Sequence, residues 1–186
     1  MTTEPREIGG PLTYKDLEHT PDDGNRYEVI DGALFVTPFS TYPHQEAATQ
    51  LLTILNAHVR GKGLGKVFAS GLIVVLDTPT GVGPDIVYIS SERMRDMRED
   101  GYHGVPDLLV EVLSSKPQLD RFVKASKYAS AGVAHYWIVD PKGKTLTALR
   151  LQGGRYRVVV EAGRDDTFEP ELFPGLAIDL SDLWVL

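Results

Sequence analysis

Two short apolar runs, Ile86-Val87-Tyr88-Ile89 and Leu108-Leu109-Val110 continuing to Val112-Leu113, each carry a carboxylate where an apolar side chain is expected. Asp85 heads the first run and Glu111 lies inside the second. Runs of β-branched and aromatic residues bounded by Pro and Gly read as buried strands. A carboxylate inside such a run is costly unless it is paired, protonated or bound to a metal. On two neighbouring strands the acids can meet at one point, and that point is the candidate site.

The rest of the chain builds a frame around it. Thr13-x-x-Asp16 predicts a capping box for a short helix over Tyr14 to Glu18. RYEVI and ALFVTP flank Asp31-Gly32, the signature of a type I′ hairpin, with Glu28 on the same face as Ile30. Leu51, Leu52, Leu55, His58 and Val59 recur at helical spacing and predict a helix from Pro43 to Arg60, stopped at Gly61-Lys62-Gly63. Strands follow at Val67 to Ala69 and Leu72 to Leu76, then a Gly/Pro turn from Thr78 to Pro84. A short helix over Ser90 to Met97 leads into an exposed loop, Glu99 to Pro106. Gln118 to Ala131 is a helix ended by Gly132, and Ala134 to Val139 a strand. KTLTALRL and RYRVVV form a second hairpin around Gln152-Gly153-Gly154; FPGLAIDL is a short strand before a turn at Ser181 to Trp184. Residues 1 to 10 read as a flexible tail. With no repeat, low-complexity tract or linker, residues 1–186 form one α/β domain on a mixed sheet.

Composition narrows the function classes. There is no Cys, hence no disulfide framework and no thiolate metal site. No apolar stretch is long enough for a membrane span, and the polar N-terminus is no signal peptide, so a cytoplasmic protein is expected. The net charge is −7, which argues against nucleic-acid binding. Its distribution softens that objection. Residues 1–31 hold eight acids and three bases, and residues 161–186 seven acids and one base. The segment between, with eleven acids and fifteen bases, is mildly basic and permits a polyanionic substrate.

Lys124 and Lys127 lie on the helix after Glu111, and a strand-turn-helix reversal returns Lys124 towards that acid. Lys124 and Tyr128 share one helix face. Hard cations such as Mg²⁺ take oxygen ligands and are often held by one or two carboxylates plus substrate phosphate. Such an ion polarises a phosphodiester and lowers the pKa of bound water, while a lysine orients that water or stabilises transition-state charge. His44 and Lys127 are candidate phosphate contacts. The blander readings are a turn cap for Asp85, a Lys124 salt bridge for Glu111, a solvated surface for Lys127, and capping roles for Asp107 and Asp120. No HExxH, dinucleotide loop or GxSxG is present.

GPDIVYIS, PDLLVEVLS, a Lys-bearing helix and AGVAHYWIVDP together resemble the Uma-two family of restriction-endonuclease-like proteins, within the PD-(D/E)XK nuclease superfamily. RYEVIDGAL, the PHQ of Pro43 to Gln45 and FPGLAIDL extend the resemblance over nearly the whole chain. It implies a restriction-endonuclease-like mixed β-sheet flanked by helices, with N-terminal and C-terminal β-hairpins. It also implies Mg²⁺ or Mn²⁺ on Asp85 and Glu111, Glu28 as a third or water-mediated ligand, and Lys124 as the family lysine. Two positions depart from the pattern. Leu113 stands where the superfamily motif has its lysine, and His135 stands where relatives carry Glu.

These readings converge on a metal-dependent endonuclease hydrolysing DNA, catalysed by Asp85, Glu111, Lys124 and Glu28. Cutting both strands calls for a homodimer. The alternatives are a nuclease-fold DNA-binding or interaction protein without catalytic activity, and a small-molecule phosphate hydrolase at the same metal site.

Overall fold

In a computed structural model, which describes residues 11–38, 40–114 and 117–184, the chain folds into three layers. The expected tail at residues 1 to 10 lies outside the described residues. The first hairpin forms as its turn chemistry dictates: β1 (Arg26–Ile30) and β2 (Ala33–Thr37) pair with Ile30 opposite Ala33. Asp31 and Gly32 both take positive φ, 50° and 81°, as a type I′ turn requires. Helix α1 (Tyr42–Gly61) follows, then β3 (Gly65–Ala69), β4 (Val74–Asp77), β5 (Thr80–Val82) and β6 (Ile86–Ser90). A two-strand excursion, β7 (Met97–Arg98) and β8 (Gly101–Tyr102), precedes β9 (Leu108–Val112). A π-helical segment (Leu119–Lys124) runs into α2 (Ala125–Ala131), which Gly132 ends at φ 87°. Next come β10 (His135–Asp140), β11 (Thr145–Gln152) and β12 (Arg155–Ala162), and finally β13 (Thr167–Phe168) and β14 (Ile178–Asp179).

The strands assort into two six-stranded mixed sheets, β2-β1-β5-β4-β8-β7 and β12-β11-β10-β9-β6-β3, plus the β13-β14 pair. In the second sheet β6 and β9 are antiparallel neighbours, while β9 and β10 are parallel, joined through the π segment and α2. One face carries α1, whose Ala47, Leu51, Leu55 and Val59 pack on Ile86, Tyr88, Leu108, Val110 and Val112. The opposite face, with Val87, Ile89, Leu109 and Leu113, packs on Ile30, Val74, Val82 and Tyr102 of the first sheet and on Tyr128. Both faces are therefore buried, which is why these strands read as continuous apolar runs instead of alternating ones. Full burial of a side chain such as Leu51 stabilises by about 1.5–3 kcal/mol.

Two expectations are corrected. Thr78 to Pro84 is not wholly turn: Thr80–Val82 form a buried strand between β1 and β4, because Gly81 lets β5 lie close beneath Tyr14. The stretch from Glu99 to Pro106 is not an exposed loop throughout, since Gly101 and Tyr102 are fully buried and pair with Met97–Arg98. Both segments are too short to show any periodicity. No helix among the described residues is long and apolar enough to cross a membrane.

Candidate active site

The acids gather where the two sheets face each other. β6 pairs with β9 through Ile86–Val110, Val87–Leu109 and Tyr88–Leu108. Continued by one residue, this register sets Asp85 opposite Glu111. Alternation puts both on the side of Val87, Ile89, Leu109 and Leu113, facing the first sheet. From that sheet β1 presents Glu28, buried at 1% exposure despite its place on a hairpin.

Asp85 is held from three directions. Its Oδ1 lies 2.9 Å from Arg26 Nη1, and its Oδ2 accepts a 2.8 Å hydrogen bond from the Val112 N–H. His44 Nε2, in the first turn of α1, lies 3.1 Å from the same Oδ2, an ion-pair distance without hydrogen-bond alignment. Burial by itself would raise the Asp85 pKa. His44, the Arg26 charge and the Val112 N–H outweigh it and hold the group below the usual aspartate value. Arg26 is locked in turn by the Gly83 carbonyl, at 2.8 Å.

Lys124 is the hub of the second group. Its Nζ lies 2.9 Å from Glu28 Oε1, 3.0 Å from Glu111 Oε1 and 3.6 Å from Asp120 Oδ1. Glu28 Oε1 also accepts the Gly83 N–H at 2.8 Å, whereas its Oε2 is buried with no hydrogen-bond partner among the described residues. The Tyr128 hydroxyl donates to Glu111 Oε1 at 2.6 Å. Burial alone would lower the Lys124 pKa, but Glu111, Glu28 and Asp120 outweigh it and hold the ammonium well above the usual lysine range. Lys124 is thus charged.

Among the described residues four acids face two permanent cations, and the surplus negative charge shows in the pKa values. Burial, reinforced by Asp120, Asp85 and Glu28 against the opposing pull of Lys124, pushes Glu111 up to about 8. Burial, with Asp85 and Glu28 and against the pull of Lys124 and Arg26, pushes Asp120 up to about 6. These shifts agree with a charged Lys124, because it keeps ionised partners even when Glu111 holds a proton. A proton here supplies positive charge that a bound cation would otherwise supply.

The geometry brings together Glu28, Asp85, Glu111, Lys124 and His44. It does not bring Lys127, whose Nζ is taken up by Asp31 at 2.5 Å, in the β1-β2 turn, and by Asp77 at 2.6 Å, at the end of β4. Lys127, expected as a phosphate contact, here braces the first sheet against α2. Asp120 is no helix cap. It is buried and turned inward with Lys124 by the wider π-helical turn, a distortion frequent at functional sites. Asp107, by contrast, accepts the Ser90 N–H at 2.7 Å and pairs with Arg93. Arg26 and Tyr128 also belong to the cluster. Arg26 shares a strand face with Glu28 two residues on, and Tyr128 follows Lys124 by four; those spacings were the available signals. Leu113, at the departed lysine position, is buried apolar core, so the cation comes from the helix instead.

Two mixed sheets, a helix on the outer face and a lysine-centred acid cluster between the sheets define an α/β protein of nuclease-like fold. The family model Uma2, described as "Putative restriction endonuclease", matches residues 13–181, and the chain belongs to this family. Among solved structures it is similar to a nuclease of DUF820 from Anabaena variabilis ATCC 29413, titled "putative", with a TM-score of 0.77. That match has 21% identity and covers 95% of this chain and 100% of the other, a likeness of fold. A comparison with curated proteins gives no match.

Proposed function

We propose that this protein is a metal-dependent endonuclease that hydrolyses phosphodiester bonds in DNA at the Glu28–Asp85–Glu111–Lys124 cluster. The observation that carries the reading is the surplus, among the described residues, of buried carboxylates over cations at one point between the sheets. Among the described residues no three His, Asp or Glu side chains form a ready metal cage. A Mg²⁺ site does not need one, since two carboxylates with water and substrate phosphate suffice. The donor set is all oxygen, and Glu28 Oε2 is a buried acceptor without a hydrogen-bond partner among the described residues, which fits a hard cation.

Asp85 and Glu111 would hold Mg²⁺ or Mn²⁺, with Glu28 directly or through water. The ion would polarise the phosphodiester and lower the pKa of the attacking water. The chain's own groups do the rest. Arg26 and the Val112 N–H fix the Asp85 carboxylate in orientation, and Tyr128 fixes Glu111. Lys124, anchored by three acids, presents a fixed positive charge to the negative charge that develops on the phosphoryl oxygens. Two copies would be needed to cut both strands of a duplex.

A second reading is a nuclease fold without catalytic activity, favoured by the ion pairs that already engage Lys124. Supercoiled plasmid with Mg²⁺ or Mn²⁺, with and without chelator, separates the two. Metal-dependent nicking that Asp85→Asn and Glu111→Gln both abolish supports the endonuclease. Absence of nicking together with absence of Mn²⁺ binding by calorimetry supports the inactive fold.

A further inference from the structure

The start of α1 forms one wall of a cavity that the proposed chemistry does not use. It measures about 160 Å³ and is lined by Tyr42, Pro43 and Glu46 of that helix, by Lys144 of the β10-β11 turn, and by Trp184. At about 100° per residue, Tyr42, Pro43 and Glu46 share one side of the helix, and His44, which lies 3.1 Å from Asp85, projects from the other. Cavity and acid cluster therefore flank one helix turn, about 10–12 Å across with its side chains. A strand of nucleic acid laid over the start of α1 reaches both.

Three observations mark the cavity as a ligand site. Trp184 is only 8% exposed, yet its indole N–H has no acceptor among the described residues, a costly state for a buried donor. Tyr42, on the rim, leaves its large ring 58% exposed. Lys144 takes φ 52°, a left-handed conformation that glycine adopts without strain, so the turn keeps a cation on the cavity wall at the expense of backbone comfort.

These groups select the ligand. An apolar cavity of about 150 Å³ holds one benzene-sized ring. A ring seated against Tyr42 and Trp184 has to accept a hydrogen bond from the indole and, beside the Glu46 carboxylate, to donate one. Lys144 supplies the charge for an attached phosphate. Cytosine has this pattern in a single six-membered ring: its N4 amino group donates to a carboxylate, and O2 and N3 accept. Thymine offers the O4 oxygen in place of the amino group, which Glu46 repels. We infer that the cavity takes one cytosine base turned out of the substrate strand, stacked on Tyr42 and Trp184 with its amino group on Glu46. The inference rests on the nuclease reading and adds the base that is read beside the site of cleavage.

The test titrates the full chain, in chelator, with dCMP, dTMP and deoxyribose 5-phosphate while tryptophan emission is followed. Of the two tryptophans, Trp137 is 2% exposed in the core, so quenching by a stacked base reports on Trp184. dCMP quenches and binds at least about fivefold tighter than dTMP, and deoxyribose 5-phosphate is silent. Loss of one stacking ring is worth at least about fivefold in affinity, so Tyr42→Ala weakens dCMP by that much while Tyr42→Phe stays within about twofold. Tyr42 is exposed, and both variants fold. Glu46→Gln removes the preference for dCMP over dTMP, because an amide donates as well as accepts. A thymine strand of about 12 nucleotides carrying one cytosine displaces dCMP at least about fivefold better than the all-thymine strand. Absence of quenching by dCMP, equal binding of dCMP and dTMP, quenching by deoxyribose 5-phosphate, or an unchanged affinity in Tyr42→Ala overturns the inference. Binding of dCMP that neither strand displaces makes this a free-nucleotide site and also overturns it. Metal-dependent nicking that persists alongside any of these results leaves the nuclease reading standing. Cytosine binding with no nicking removes the nuclease reading and leaves the base pocket.

Discussion

Glu111→Gln isolates the charge of the buried acid from its shape. With Glu111 raised from 4.5 to about 8, the folded protein keeps a proton that the unfolded chain has released throughout that window. The unfolded state binds fewer protons, so stability falls as pH rises from about 4.5 to 8 and levels off above. At 1.36 kcal/mol per pKa unit, the full window is worth about 5 kcal/mol. For a chain of 186 residues that is a fall in Tm of about 10–20 °C. Asp120 adds the same sign below pH 6, being raised from 3.8 to about 6. Asp85 acts oppositely, but only below 3.8, where its stabilisation is lost. Lys124 is charged in both states across the window and contributes no slope there. A glutamine keeps the carbonyl that accepts from Lys124 and Tyr128 and cannot ionise. Urea unfolding at pH 5, 6, 7 and 8 should show the wild type losing stability steadily between pH 6 and 8 while the variant stays level, so that the variant is the more stable protein at pH 8. A wild-type curve that is flat or rises over that range, or a variant that keeps the wild-type slope, refutes the reasoning.

Lys124→Met leaves Glu28, Glu111 and Asp120 without their shared cation and should cost about 3–5 kcal/mol at pH 7, recovered in part as pH falls, by thermal denaturation. Tyr128→Phe removes the 2.6 Å hydrogen bond to Glu111 and should cost about 1–2 kcal/mol while leaving the fold's circular dichroism unchanged. Lys127→Ala removes a partly exposed pairing and should cost less than about 1 kcal/mol, with plasmid nicking at the wild-type rate.

The elements that dominate the fold were legible because their signals are local. Asp31-Gly32 sets positive φ at two consecutive positions, and the spacing of Leu51, Leu55 and Val59 commits a helix face before any partner is known. The misread segments, Thr80–Val82 and Gly101–Tyr102, are two or three residues of backbone pairing whose partners lie far away in the chain. Within the site, Asp85 and Glu111 stood out as acids in apolar runs, and Lys124 through its place on the following helix. Asp120 and Arg26 did not stand out, because their neighbours are polar and a charged residue there is the common surface case.

Residue order alone was enough to say that two carboxylates would be buried, since a strand with both faces covered leaves its side chains nowhere to reach water. Which cation each acid would meet was settled only when the sheets closed on each other. Register aligned Asp85 with Glu111, the widened π-helical turn aimed Asp120 and Lys124 at the same point, and Lys127 was drawn off to Asp31 and Asp77. Charge pairing falls off over a few ångströms in space, and distance along the chain carries no record of it.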